Sequence, residues 1–242
     1  MKDIIFTLKE QTLIAKNTYE MVLEGDTEGI GAGQFVNIKL DGFYLRRPIS
    51  VADVEGNLLT IIYKVVGEGT AKMAALPIGT ELLTLTGLGN GYDLTRAGDK
   101  PLLIGGGAGV PPMYYLARKL AEAGKTVTVI MGYGSADEVF YKEKFEALGA
   151  RVIVTTVDGT EGIKGFVTDA FGEVEYTYFY TCGPEPMLKA VYDKTVTDGE
   201  FSFEERMGCG FGACMGCTCE TKYGNKRICR DGPVLTKEEI VW

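Results

Sequence analysis

Four cysteines and four glycines crowd into the fifteen residues "ERMGCGFGACMGCTC", Glu205 to Cys219. With Cys229 they form the set Cys209-x4-Cys214-x2-Cys217-x11-Cys229, leaving Cys219 as an extra. Three chemistries compete for such a set. Disulfides suit an oxidising compartment, but the N-terminal "MKDIIFTLKEQ" lacks an extended apolar core and a small-residue cleavage site, so export is not expected. Four-cysteine zinc sites are usually built from two C-x2-C pairs, whereas the first gap here is four. The order C-x4-C-x2-C…C is the spacing of plant-type [2Fe–2S] sites. A loop wrapped around a cluster must turn backbone N–H groups toward sulfur, which needs positive φ and close approach. Gly208, Gly210, Gly212 and Gly216 supply that freedom. The spacing points to an iron–sulfur cluster, with a glycine-rich zinc knuckle or free structural thiols as the alternative.

The chain contains no histidine. Ser-His and Cys-His nucleophile pairs, His-ligated zinc or haem, and Rieske centres are therefore excluded. Chemistry here must be carried by cofactors, or by Cys, Lys, Tyr and carboxylates, and hydride or electron transfer belongs to cofactors in any case.

Two glycine-rich turns could cradle a nucleotide. "PLLIGGGAGVPPM" places Gly105, Gly106, Gly107 and Gly109 between a strand and a helix opened by Pro111 or Pro112. It is not a G-x-G-x-x-G fingerprint, and alone it could be tight packing. In "TYFYTCGPEPM" a second strand ends in Cys182, Gly183 and Pro184 before a helix starting near Pro186. Two such turns at strand C-termini build the rim where α/β sheets bind ligands, although Cys182 could equally be a buried small apolar residue. Earlier in the chain, "RRPISV" offers Arg47, whose planar fork suits a phosphate; a solvated edge is the alternative. In "YKVVGEGTAKM", Gly67 and Gly69 precede a short helix with Thr70 near its cap, a second place for an anion.

The elements that must position these residues fall into three stretches. Residues 1–97 read as short strands broken by turns, with one helix-like piece at 69–76, which predicts an antiparallel β-barrel. Residues 98–200 alternate strand and helix, including helices over "PPMYYLARKLAEAG" and "EVFYKEKFEALGA", which predicts a parallel sheet in an α/β layer. Residues 201–242 lose both patterns and carry the cysteines.

Together, "RRPIS", "GEGT", "GGGAGVPP" and "CGPEPM" occur in the order found in the ferredoxin-reductase superfamily, and the match covers almost the whole chain. The tail "ERMGCGFGACMGCTC…ICRDGPVL" resembles that of the electron-transfer subunits of type B dihydroorotate dehydrogenases. The resemblance implies an FAD-binding barrel, an NAD-binding α/β domain and a [2Fe–2S] tail. It implies FAD contacts from Arg47, Pro48, Ile49 and Ser50, with Arg47 at the pyrophosphate and Ser50 at the flavin ring. Further FAD contacts would come from Ile62, Tyr63, Lys64, Gly69 and Thr70. Gly105, Gly106, Gly107, Gly109, Cys182, Gly183 and Pro184 match the nicotinamide side, and Cys209, Cys214, Cys217 and Cys229 match the cluster ligands. No acid–base residue is implied; Cys182 alone sits by motif near the flavin–nicotinamide contact. "YGSADE" has Ser135 but no arginine and two acids, so NAD is favoured over NADP.

The implied partner is an FMN-containing dihydroorotate dehydrogenase catalytic subunit, in a heterotetramer of two copies of each. This chain would then pass electrons through the cluster and FAD to NAD+ in pyrimidine biosynthesis, and would hold no dihydroorotate site. The small subunit of an NADH-dependent ferredoxin:NADP oxidoreductase or of a sulfide dehydrogenase or sulfhydrogenase would share the design. A zinc-bearing interaction module on a degenerate reductase fold is the reading from another class. A net charge of −8, with 33 acids against 25 bases, argues against nucleic acid and anionic membranes. No run of eighteen apolar residues is present, so a cytoplasmic protein is expected.

Overall fold

The computed structural model describes residues 1–242, apart from the side chain of Glu173. Six strands, β1 (Lys2–Ala15), β2 (Thr18–Glu24), β3 (Phe35–Ile38), β4 (Arg47–Glu55), β5 (Leu58–Lys64) and β6 (Glu81–Leu88), close into a barrel in the order β1-β2-β5-β4-β3-β6. Every pairing is antiparallel. The period-two pattern drives this closure. Phe6 and Leu8, Met21 and Leu23, and Leu59 and Ile61 are fully buried inside it. Helix α1 (Glu68–Ala74) lies between β5 and β6, as expected, and buries Met73.

The α/β layer begins at β7 (Pro101–Gly106), all six residues of which are buried, as befits a central parallel strand. After α2 (Val110–Glu122), β8 (Thr128–Tyr133), α3 (Lys142–Ala147), β9 (Arg151–Thr156) and β10 (Ile163–Lys164) extend the sheet to one side. The chain then crosses to the other side with β11 (Tyr178–Cys182), α4 (Glu185–Lys194) and β12 (Gly199–Ser202). The full order is β10-β9-β8-β7-β11-β12-β15, which places a topological switch point between β7 and β11. As the helical spacing anticipated, α2 buries Met113, Leu116, Ala117 and Leu120.

Two expectations need correction. The helix predicted over 138–150 shrinks to α3. Asp137 and Glu138 are drawn to the barrel by Lys16, at 2.9 Å, and Lys64, at 2.6 Å, and Tyr141 takes φ +67°, breaking the helix before Lys142. The tail is also less irregular than its sequence suggests. Strands β13 (Thr218–Thr221) and β14 (Gly224–Arg227) form a hairpin, α5 (Ile228–Asp231) follows, and β15 (Val234–Thr236) joins the large sheet antiparallel to β12. An antiparallel edge therefore closes an otherwise parallel sheet. Among the described residues, no helix is long and apolar enough to cross a membrane.

Candidate functional site

At the switch point the two glycine turns stand side by side. Gly105 is the register partner of Cys182, and Cys182 in turn is the partner of Ser202 on β12. The barrel faces this rim across a cleft of ≈ 330 Å³. Pro48, Ser50, Ile62, Tyr63 and Lys64 line its barrel side, and Gly106, Gly107, Gly109, Cys182, Gly183 and Pro184 line the opposite side. Motifs separated by more than a hundred residues thus meet in one place. Alternation along β4 explains part of it, since Pro48 and Ser50 point the same way.

Five other expected residues lie outside that lining. Gly105 is buried beneath the turn against Val110. Ile49, opposite Val36, packs on the barrel core. Arg47 donates to the carbonyl oxygens of Leu45 (2.7 Å) and Arg46 (3.4 Å), and its guanidinium sits 4.6 Å from the Phe43 ring centroid. It also lies flat on Gly69, where a Cβ would fall 2.0 Å from Arg47 Nε. Arg47 and Gly69 are therefore one unit, placed by β4 and α1. The Thr70 hydroxyl accepts from the N–H groups of Val66 (3.0 Å) and Gly67 (3.2 Å), so it is committed to holding its own turn.

A second cleft of ≈ 490 Å³ shares Gly106, Gly107, Tyr133, Glu138 and Pro184 with the first and continues past Gly134, Phe166 and Met187. Between the two, Lys64 Nζ lies 2.6 Å from Glu138 Oε1, while Glu138 Oε2 accepts from Gly134 N–H at 3.0 Å. The lysine, foremost by its hydrogen bond, holds the Glu138 carboxyl below its ordinary value. Burial pushes the Cys182 thiol up to about 12, with the Ser202 hydroxyl opposing. Cys182 is consequently a neutral thiol at neutral pH, able to pack and to donate weakly, but not to act as a thiolate nucleophile.

Residues that carried no motif also reach the first cleft, among them Phe35, Ser202, Phe203 and Glu204, and Glu138 of "YGSADE" joins them. Phe35 was open to inference as the cross-strand partner of Ser50. Ser202 and Phe203 had no local signal.

The cysteine loop lies over the other face of the sheet. Cys217 and Cys229 are buried in a core cluster with Phe179, Phe201, Ile228 and Leu235. Cys209 is half-buried and Cys214 exposed. Cys209 Sγ accepts from the N–H groups of Ala213 (3.3 Å), Phe211 (3.5 Å) and Cys214 (3.5 Å). Cys214 Sγ accepts from Gly216 at 3.5 Å and Cys217 Sγ from Cys229 at 3.4 Å. Burial opposes ionisation of Cys209, but the N–H groups of Phe211 and Cys214 lead in pulling it to about 6; burial, then Cys217, pushes Cys229 up to about 12. Gly210 at φ +76° lets the backbone turn these donors inward. Arg227 braces the loop through Gly212 O at 2.9 Å and Asp231 at 3.0 Å.

Among the described residues, no three His, Cys, Asp or Glu side chains converge where one metal ion could sit. The cysteines instead fall into two pairs, the N–H of Cys214 donating to Cys209 Sγ and that of Cys229 to Cys217 Sγ. Four thiols, inward N–H groups and paired placement fit a binuclear iron–sulfur centre better than tetrahedral zinc. Cys219, on β13, pairs in register with Lys226 and lines a third hollow with Trp242, adjoining the first cleft at Glu204.

The arrangement has known counterparts. The iron-sulfur cluster binding domain of dihydroorotate dehydrogenase B matches residues 204–241, and the oxidoreductase NAD-binding domain matches 103–193. The chain is 43% identical to the dihydroorotate dehydrogenase B (NAD(+)) electron transfer subunit of Shouchella clausii, over 97% of this chain and 96% of that one. Identity to the corresponding subunit of Fusobacterium nucleatum is also 43%, with the same coverage. Among solved structures, one of the NADH-dependent reduced ferredoxin-NADP oxidoreductase superposes with a TM-score of 0.88 at 28% identity, covering 98% of this chain and 90% of that chain. Phthalate dioxygenase reductase shares the fold, with a TM-score of 0.65 at 20% identity over 80% of this chain and 64% of that one. This chain belongs to the family of dihydroorotate dehydrogenase B electron transfer subunits.

Proposed function

We propose that this chain takes electrons from an FMN-containing dihydroorotate dehydrogenase catalytic subunit and delivers them to NAD+, as half of an oxidoreductase of pyrimidine biosynthesis. One observation carries the reading: a loop of two thiol pairs and a two-sided cleft at a sheet's switch point belong to the same chain. When bound, a [2Fe–2S] cluster supplies one-electron exchange, and FAD links it to the two-electron chemistry of NAD(H).

The residues divide the work. Cys209, Cys214, Cys217 and Cys229 would hold the cluster. Arg47 and Gly69, with Thr70 shaping the turn, would receive the pyrophosphate of FAD, while Pro48, Ser50, Ile62, Tyr63 and Lys64 would form the flavin side, backed by Ile49 on the barrel core. Gly106, Gly107 and Gly109, with Cys182, Gly183 and Pro184, would seat the nicotinamide nucleotide opposite, over Gly105 beneath the turn. Cys182 keeps its proton and limits approach at the contact, and no acid–base residue is required of the protein. The working units are 1–97 for FAD, 98–200 for NAD and 201–242 for the cluster. The dihydroorotate site lies on the partner, in a cytoplasmic heterotetramer of two copies of each subunit, with neither nucleic acid nor membrane involved.

The test is NADH formation from dihydroorotate and NAD+ by the complex that co-purifies with this chain under anaerobic conditions. Robust turnover that disappears in Cys214→Ser supports the reading. A coloured complex that NADH reduces and dihydroorotate does not would move the function to the ferredoxin-linked relatives.

A further inference from the structure

The cluster loop and the barrel touch through one side chain whose presence needs a reason. Asn37 lies on β3, only 2% exposed, with Pro48 of β4 as its register partner. Its Nδ2 donates to the carbonyl oxygen of Cys209, 172 residues later, at 3.3 Å. Its Oδ1 is buried with no partner. A leucine would fill a barrel position of this kind without leaving a carbonyl oxygen unsatisfied, so the amide is costly where it stands. Gly210 adds an independent observation. A Cβ there would fall 2.3 Å from Asn37 Nδ2, so the loop has no side chain at the very point where Asn37 enters. The carbonyl of Cys209 and the N–H of Gly210 are opposite ends of one planar peptide. Holding the carbonyl against the barrel orients the start of the turn whose later N–H groups converge on Cys209 Sγ.

We propose that Asn37 is a positioning residue that fastens the first cluster cysteine to the flavin side of the barrel and so sets the electronic contact between the two cofactor sites. The inference rests on the cofactor reading above. From Cys209 the connection runs through its own carbonyl, one hydrogen bond, Asn37 and the β3–β4 ladder to Pro48, which lines the cleft. Electron transfer falls exponentially with separation, so loosening this fastening slows transfer between the sites while leaving each site intact.

The experiment uses the holo-complex with wild-type chain, Asn37→Leu, Asn37→Asp and Gly210→Ala. Leucine and aspartate remove the donor in two different ways, and Gly210→Ala displaces it from the loop side. Rapid mixing with NADH separates flavin bleaching from the later reduction of the cluster; iron content and the paramagnetic resonance spectrum of the reduced cluster are read on the same samples. Flavin bleaching within twofold of wild type is expected, with cluster reduction at least tenfold slower and a shifted resonance spectrum in the iron-loaded fraction of each variant. Unchanged cluster reduction and spectrum in that fraction overturn the proposal, including the case in which the variants merely lose iron and the remainder behaves as wild type. A wild-type chain without flavin and cluster absorbance overturns the cofactor reading itself and this inference with it.

Discussion

Lys64 of the barrel, lining the first cleft, and Glu138 of the α/β layer, lining both, form a 2.6 Å ion pair. Its location matters more than its strength, because a partly exposed pair contributes only about 0.2–1 kcal/mol to stability. Lys64→Met leaves an uncompensated carboxylate at the place the proposed function gives to an anionic dinucleotide. The KM for NADH in a ferricyanide-reduction assay on the flavin-loaded protein should rise about three- to tenfold, which is 0.7–1.4 kcal/mol of binding at about 1.4 kcal/mol per tenfold. Glu138→Gln should not raise it, and the double variant should sit near wild type. Equal KM values in wild type and Lys64→Met would remove the pair from nucleotide binding.

Arg47 and Gly69 are in direct contact, the guanidinium occupying the space a Gly69 side chain would need. Gly69→Ala should drive the guanidinium off its seat and weaken FAD binding at least tenfold by fluorescence titration, or about 1.4 kcal/mol. Arg47→Ala should do the same, and the combination should add little, because neighbouring changes that disrupt one contact are not additive. Independent, additive losses would show that the two residues act separately.

The cysteines should separate cleanly. Cys229→Ser or Cys217→Ser removes a thiol from the buried pair and should abolish the visible cluster spectrum, with iron per chain falling toward zero. Cys219→Ser should retain both, since Cys219 lies outside the two pairs. Iron analysis and the absorption spectrum decide it.

Glu200 on β12 is 3% exposed and accepts from Asp93 N–H at 3.0 Å and the Tyr178 hydroxyl at 3.3 Å. Burial, foremost, raises its carboxyl from 4.5 to about 7. In the unfolded chain it ionises near 4.5, so between that pH and about 7 the folded state binds more protons. Its contribution is complete below pH 4.5 and is lost as pH rises toward 7 and beyond, on the order of 3 kcal/mol in all. Glu200→Gln, which keeps an acceptor for Asp93, should remove this component and raise stability at pH 8. Denaturant titrations at pH 5 and pH 8 measure the difference; an unchanged pH dependence in the variant would assign the effect to other groups.

How far the sequence could be read depended on whether a signal was local. Alternation along β2 and β5 and the helical spacing of Met113, Leu116 and Leu120 are properties of neighbouring residues, and they sufficed for the barrel, the layer and the first helix. The cysteine spacing and the two glycine turns are equally local. Strands β12 and β15 are four and three residues long, and exist because they pair with strands far away, so "GEFS" and "VLT" looked patternless. The truncated α3 shows the same limit: the chain turns extended at Val139 and left-handed at Tyr141, whose hydroxyl meets Glu20 of the barrel, a contact no local pattern announces. Within the site, Gly69 and Arg47 were separately visible, but their contact was not. Asn37 carried no motif at all; only the fold brings it to Cys209.

Ser202 and Val234 are register partners on β12 and β15. Everything between them, including all four paired cysteines, therefore leaves the sheet and returns to it at adjacent points. Such a segment is topologically an insertion rather than an extension, and its ends already satisfy the geometric condition for exchange. Evolution could replace this cassette with a shorter turn, or with a module for another redox centre, without re-registering a single strand of the nucleotide sheet. The same two positions are the natural splice points for building chimeric reductases.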